Sequence, residues 1–287
     1  MCDEANLQNW ARETLSRRQF GALTGAGVLA AGAAGPLAAA GALTERKVTF
    51  ATPDGTDDGF FVHPSEGKHP AVILWPDIAS LREAKRVMAR ELAAQGYAVL
   101  VMNPYYRDVA GEQFADFADF IAKGGFQKVG PWRGKLNAEA IMSDTRAITA
   151  WLDQQAAVDP VRGIGTQGYC MGGPFTVWSA AAVPARVKAA ASFHGGGLVR
   201  PDNAMSPHAL LGTTKAGLLI AVAKDDDAKA PADKVTFAEA AKAAGVTATV
   251  TVYEGNHGWM VPDSPAYAAP VARKGEADLL ALYKRQL

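Results

Sequence analysis

The sequence predicts an α/β protein with a mostly parallel central sheet and helices on both faces. Three observations predict it. Short apolar runs alternate with amphipathic segments of helical period along most of the chain. The run Ala71–Trp75 (AVILW) is apolar at every position, as in a strand covered on both sides. Turn signals such as Gly96 and Asn103-Pro104 close the elements at the spacing of strand–helix–strand units.

Taken in order, residues 48–51 and 60–62 flank Pro53-Asp54-Gly55 and read as a hairpin. Ala71–Trp75 is the first buried strand. Residues 81–95 have helical periodicity and stop at Gly96, and residues 97–102 form the next strand. A polar, Gly-containing stretch covers 108–134, within which 123–134, carrying Trp132 and Arg133, reads as a lid or as a plain surface excursion. Residues 138–155 are amphipathic and helical. A short strand at 163–167 precedes a helix at 172–182, whose Pro174 falls in the first turn, where proline is tolerated. Val187–Phe193 and Gly217–Ala223 are strands. A helix at 232–244 ends at Gly245, a β-branched strand covers 247–253, and a last helix covers 266–285.

Composition narrows the function. Of 287 residues, 49% are hydrophobic, enough for a core. Lys+Arg and Asp+Glu are each 29, so the formal charge is zero, which argues against nucleic acid or an anionic membrane surface as a bulk electrostatic partner. The two cysteines, Cys2 and Cys170, are far apart. They make no disulfide scaffold, and no Cys/His cluster has zinc spacing.

The first 42 residues differ from the rest. Ser16-Arg17-Arg18-Gln19-Phe20 precedes an uncharged run of Gly, Ala and Leu at 21–42, and small-x-small sites occur at Ala38-Ala39-Ala40 and Ala40-Gly41-Ala42. This pattern resembles a twin-arginine export signal. It implies an encounter of the precursor with the twin-arginine export machinery and a periplasmic or secreted mature chain, or a cytoplasmic one if the leader is not used. Residues 43–287 then form one α/β domain that keeps one cysteine, Cys170.

The sharpest chemical feature is Gly168-Tyr169-Cys170-Met171-Gly172-Gly173, between a short strand and a helix. Glycines two residues either side of a nucleophile permit a tight strand-to-helix turn that lifts residue 170 above the sheet. The helix N-terminus behind it favours a thiolate, and the N–H of Met171 would face the oxygen of a bound carbonyl. A thiol nucleophile needs a base and an orienting acid. His257, in the loop after the last strand, is the candidate base. His194 ends a strand before Gly195-Gly196-Gly197 and should lie on the same rim, lining the pocket or satisfying local backbone groups. His63, His69 and His208 sit in turn-like stretches and read as surface residues. The acid should come from Lys224-Asp225-Asp226-Asp227, with Asp226 the choice and Asp227 the reserve. Ser179 and Ser192 lack flanking glycines and make poor alternative nucleophiles. The chain order is nucleophile, acid, base.

From about Thr49 onward the chain resembles the dienelactone hydrolase (carboxymethylenebutenolidase) family within the α/β-hydrolase fold. The resemblance is carried by the Cys170 hexapeptide, the Asp-rich loop ending at Pro231, His257-Gly258-Trp259, Gln95-Gly96-Tyr97-Ala98-Val99-Leu100 and Pro104-Tyr105-Tyr106-Arg107. It implies hydrolysis of a small lactone or ester with no metal or organic cofactor, with Cys170 as nucleophile, His257 as base and Asp226 as orienting acid. Asp77 matches by position an acidic family residue, usually glutamate, that helps switch the cysteine on, but is one methylene shorter. As a plain structural residue it would instead cap the helix from Leu81. The resemblance gives Ile78 the second oxyanion N–H beside that of Met171, and gives Arg107 the substrate carboxylate. Where the family carries a further basic residue after the histidine, this chain has Trp259-Met260-Val261, so a pocket lined by Trp259 is expected to take a less anionic or more apolar substrate. Activated substrates such as enol lactones fit better than plain esters or amides. The competing readings are a broad carboxylesterase and a redox-responsive or ligand-holding thiol protein on the same fold.

Overall fold

A computed structural model describes residues 41–287. The expected export leader lies outside the described residues, apart from positions 41 and 42. Eight strands form one sheet: β1 (Leu43–Thr52), β2 (Gly55–Pro64), β3 (Ala71–Trp75), β4 (Ala98–Met102), β5 (Ile164–Tyr169), β6 (Val187–Phe193), β7 (Gly217–Ala223) and β8 (Ala248–Tyr253), in the order β1-β2-β4-β3-β5-β6-β7-β8. The β1–β2 hairpin and the β2–β4 pair are antiparallel, and every pair from β4 to β8 is parallel. The hairpin is longer than the apolar pattern indicated. Its outer strand is paired over ten residues by backbone register alone, with most of its side chains exposed.

The helices are α1 (Glu83–Ala94), α2 (Phe117–Ala122), α3 (Gly125–Arg133), α4 (Ala138–Leu152), α5 (Gly173–Ala182), α6 (Lys224–Lys229), α7 (Pro231–Ala243) and α8 (Ala269–Gln286). They divide between two cores. Met88, Ala89 and Leu92 of α1 pack with Ala272, Leu279, Leu282 and Tyr283 of α8 on one face. Ile141, Ile148 and Leu152 of α4, Phe175 and Trp178 of α5, and Phe237 of α7 fill the other. Strand β3 shows why AVILW has no polar position: Val72 and Leu74 point into the α1/α8 core, while Ile73 and Trp75 point into the opposite one. Side chains alternate across a strand, so a sheet covered on both faces needs apolar residues at every step.

The stretch 108–134 is not an unstructured excursion. It holds α2 and α3, anchored by an aromatic cluster in which Phe120 touches Phe114, Phe117 and Phe126 at centroid distances of 4.8–5.4 Å. Asp116 caps α2 by accepting the Asp119 N–H at 2.7 Å, a local signal that ends the loop. The Asp-rich loop after β7 is likewise the short helix α6, with its three aspartates in the first turn, where carboxylates suit the helix dipole.

Candidate active site

Parallel strands deliver their following loops to one edge of the sheet. Strands β5, β6, β7 and β8 are neighbours in that order, so Cys170, His194, the α6 aspartates and His257 emerge side by side along it. Cys170 follows β5 directly, has φ of +52°, and opens a short 3-10 turn that runs into α5. This left-handed conformation costs a non-glycine residue energy and marks a sharp strand-to-helix elbow. The flanking glycines are required by close approach. A β-carbon at Gly168 would stand 2.0 Å from the carbonyl oxygen of Gly172, and one at Gly172 would stand 2.6 Å from that of Pro76. Cys170 is buried, and it is disulfide-bonded here. The thiol expected at this position is therefore the reduced form of the residue.

The three aspartates of α6 separate cleanly. Asp226 Oδ2 lies 2.6 Å from His257 Nδ1. Asp225 Oδ1 accepts the backbone N–H of His257 at 2.8 Å and so fixes the chain around the imidazole. Asp227 turns away to Lys234, at 2.6 Å. A carboxylate at Nδ1 holds the proton there and leaves Nε2 as the basic nitrogen.

His194 is fully buried with φ of +42°, and its ring meets that of His257 edge-on at 5.1 Å. Burial, and then the neighbouring His257, push its pKa well down, so it is a neutral wall behind the candidate base. Trp259 is also fully buried, stacked on Tyr253 at 4.8 Å and edge-on to Phe193 at 5.9 Å. Neither His194 nor Trp259 lines the cavity beside Cys170; both rings pack around the histidine loop.

Asp77 is buried and bound on three sides. Arg82 donates Nη1 to its Oδ1 at 2.7 Å and Nη2 to its Oδ2 at 2.9 Å, and Lys85 Nζ lies 2.8 Å from Oδ2. Desolvation opposes its charge, but Arg82 and Lys85 overcome it and hold the carboxyl below the usual range. Burial brings Lys85, whose Nζ also sits 4.4 Å over the Tyr169 ring, down to about 8. Asp77 does not cap α1, whose N-cap is Arg82 without a side-chain cap. Its Oδ1 instead accepts the Ala79 N–H at 3.0 Å, shaping the loop that carries Ile78.

Ile78 is buried beside Tyr105, whose hydroxyl donates to the Ile78 carbonyl at 2.9 Å and lies 3.3 Å from Met171 Sδ. Tyr105 thus touches both residues expected to supply oxyanion N–H groups. Sequence reasoning missed this role, although the residue falls right after β4, where loops build sites.

Arg107 stands elsewhere than the resemblance implied. Its guanidinium is 2.7 Å from Asp144 of α4 and 2.6 Å from Asp54 of the hairpin turn, and it does not line the Cys170 cavity. It ties the β1–β2 turn to α4. The cavity itself, about 460 Å³, is lined by Cys170, Met171, Phe175 and Trp178, together with Arg133 and Arg200. A smaller one of about 130 Å³ shares Gly196 and Gly197 with it and reaches Asp226. A larger cavity of about 640 Å³ between α1 and α8 carries neither Cys170 nor His257. The remaining histidines make local contacts: His63 faces the Pro64 carbonyl at 2.7 Å, His69 those of Glu66 and Gly96 at 2.7 and 3.2 Å, and His208 Nδ1 lies 2.7 Å from the Ser206 hydroxyl.

Comparison with known proteins agrees with this architecture. The chain is 26% identical over 225 residues to a protein of Escherichia coli strain K12 named "Putative carboxymethylenebutenolidase", covering 77% of this chain and 79% of that one. A Salmonella typhi protein of the same name is 27% identical over 231 residues, 78% of this chain and 81% of the other. The crystal structure of a "Putative Dienelactone Hydrolase" from Klebsiella pneumoniae subsp. pneumoniae superposes with a TM-score of 0.71 at 24% identity, over 85% of this chain and 99% of that one. That of the dienelactone hydrolase-like promiscuous phosphotriesterase P91, from metagenomic libraries, gives 0.66 at 22%, over 86% and 99%. These two structures bear on the α/β-hydrolase fold alone. Residues 58–287 match the dienelactone hydrolase family, and the chain, a dienelactone hydrolase-like hydrolase, belongs to it.

Proposed function

We propose that the protein hydrolyses a small lactone or activated ester through Cys170, His257 and Asp226. The single observation that carries this reading is the 2.6 Å contact of Asp226 with His257 Nδ1, on the sheet edge where the strained Cys170 elbow also emerges. In its reduced form the Cys170 thiol gives its proton to His257 Nε2, and the thiolate adds to the substrate carbonyl. The oxyanion that forms is met by the N–H groups of Met171 and Ile78. Collapse breaks the carbon–oxygen bond, and His257 returns the proton to the departing oxygen. Water then attacks the thioester with His257 taking its proton, and the acid leaves as Cys170 is reprotonated. An enol or aryl oxygen departs more readily than an alkoxide, so thiolate attack on such substrates goes forward rather than reverting. That favours enol lactones and aryl esters.

The test is a screen of enol lactones and 4-nitrophenyl esters on the pre-reduced protein. Cys170→Ala should abolish turnover while the circular dichroism spectrum stays unchanged. Retained turnover would remove Cys170 as nucleophile.

We also propose that the precursor is exported by the twin-arginine route and acts outside the cytoplasm. The support is the Arg17-Arg18 pair before an uncharged run. The mature N-terminal mass from an exporting host, compared with a variant carrying Arg17→Lys and Arg18→Lys, tests it. An uncut precursor in both would refute it.

A further inference from the structure

The cavity of about 640 Å³ between α1 and α8 lies on the other face of the sheet from Cys170. Its walls Met88, Leu92 and Leu279 belong to the α1/α8 core, whereas Cys170, Phe175 and Trp178 belong to the opposite one. A cavity of this size suits a small organic molecule. Gln167 and Tyr169 of β5 form its floor, and both are buried. The Tyr169 hydroxyl accepts the Gln167 amide N–H at 2.7 Å, and the Gln167 oxygen is taken by the Tyr283 hydroxyl at 3.0 Å. The Tyr169 hydroxyl proton is left with no acceptor among the described residues. A buried donor is costly to leave unspent, so this position calls for an oxygen from a bound molecule.

The charges around the cavity are uneven. Glu83 is paired with Arg86 and Arg90, Asp263 is paired with Arg82, and Asp116 caps α2. Glu91 of α1 and Glu276 of α8 stand on the two flanking helices with no ion-pair partner among the described residues. Burial, and then the charge of Glu276, raise the Glu91 carboxyl above its ordinary range, as for two like charges held together without a counter-ion. Both carboxylates also act on Tyr169 at the floor and on the exposed Tyr267. Arg273, the one cation among the lining residues, is exposed. We propose that this cavity is a second binding site, for a small organic cation that carries an apolar body and an oxygen acceptor. The cation lies between Glu91 and Glu276, where the Tyr267 ring offers it a π-face. The body packs on Met88, Leu92, Met260 and Leu279, and the oxygen takes the Tyr169 O–H. The site is independent of whether Cys170 is the nucleophile.

Isothermal titration calorimetry on the full-length protein tests it, after reduction and alkylation of Cys170 with iodoacetamide so that the Cys170 cavity is blocked. The probes are 4-(4-methoxyphenyl)butan-1-amine, the matching alcohol and the matching carboxylic acid, which share a body and an ether oxygen and differ in charge. The amine should bind tightest and the acid weakest. Glu91→Gln and Glu276→Gln should each weaken the amine by about fivefold, and together by more, with the affinity of the alcohol unchanged. Tyr169→Phe should weaken amine and alcohol alike. Ala84→Trp, which fills the cavity from its rim, should abolish binding of both while the circular dichroism spectrum stays unchanged. Equal affinities of amine and alcohol, or affinities unmoved by these substitutions in folded variants, would overturn the proposal, as would no binding of any probe at millimolar concentration.

Discussion

Arg82 and Asp263, 181 residues apart in the chain, meet in a bidentate ion pair of 2.7 Å at each contact. The same guanidinium grips Asp77 on its other side and donates to the Ser80 carbonyl at 3.1 Å. One side chain, with no exposed surface, therefore clamps the Ile78 loop to the segment that follows His257. Replacing it with methionine leaves Asp77 buried with Lys85 as its remaining ion-pair partner and takes the guanidinium from the partly buried Asp263. Removing one partner of a buried pair typically costs about 3–5 kcal/mol, so Arg82→Met should lower the denaturant midpoint steeply. Arg82→Lys keeps the charge without the fork and should fall between. Asp77 has a depressed folded pKa, so its contribution is present above the unfolded carboxyl value of about 3.9 and is lost as the pH falls below it. Wild-type stability should therefore drop on acidification below about pH 4, and the drop should be shallower in an Asp77→Asn protein, which starts from lower stability at pH 7.

The α6 aspartates give a three-way comparison. Asp226→Asn replaces an acceptor at His257 Nδ1 by an amide that can donate, which reverses the imidazole tautomer. Turnover should fall by roughly a hundredfold to ten-thousandfold. Asp227→Asn loses only a half-exposed pair with Lys234 and should change activity less than about twofold. Asp225→Ala frees the His257 backbone N–H and should lower kcat more than it raises KM. Steady-state kinetics on one activated ester, with thermal melts alongside, would separate the three. Equal effects at Asp226 and Asp227 would contradict the assignment.

Much of this was legible from local pattern. Strand β3 announces itself because both of its faces are buried, and the Cys170 elbow because two backbone approaches exclude any β-carbon at Gly168 and Gly172. Helices α2 and α3 were not legible, because their stability comes from Phe114, Phe117, Phe120 and Phe126 meeting one another rather than from a repeating apolar face. Charged residues were hardest to place. Arg107, Arg133 and Arg200 look alike in sequence, and only tertiary neighbours decide that the first is neutralised by Asp54 and Asp144 while the other two face the cavity. The burial of Trp259 and His194 was hidden for a related reason: both follow strand ends, and only tertiary packing turns their rings inward.

Tyr105 offers a test of the oxyanion loop that leaves its backbone intact. Tyr105→Phe removes the one hydroxyl that joins the Ile78 carbonyl to Met171. The loop should loosen by an amount comparable to one neutral hydrogen bond, about 1 kcal/mol. If that order is felt at the oxyanion, kcat falls roughly fivefold with KM little changed. Burial pushes the Tyr105 hydroxyl well above its ordinary range, so it stays a donor at any working pH and the variant should show no altered alkaline limb. A wild-type kcat in Tyr105→Phe would mean that the Ile78 loop is held by the Arg82–Asp77 clamp alone.

Asp57 is a group the chemistry does not use, and its environment predicts a stabilising substitution. It is buried on β2 with Oδ1 lacking a hydrogen-bond partner among the described residues. Burial, and then the charges of Asp144 and Asp58, raise its pKa well above the usual carboxylate value, with Arg107 only partly offsetting them. The folded state therefore holds this proton more tightly than the unfolded state does. The stability it contributes is complete below the unfolded value of about 3.9 and is lost as pH rises through the folded value. Asparagine mimics the protonated side chain at every pH. Asp57→Asn should thus raise the unfolding free energy by about 1 kcal/mol or more at pH 8, and the gain should shrink toward zero near pH 4. Urea titrations of both proteins at the two pH values would check it. A gain independent of pH would show that Asp57 is not the titrating group.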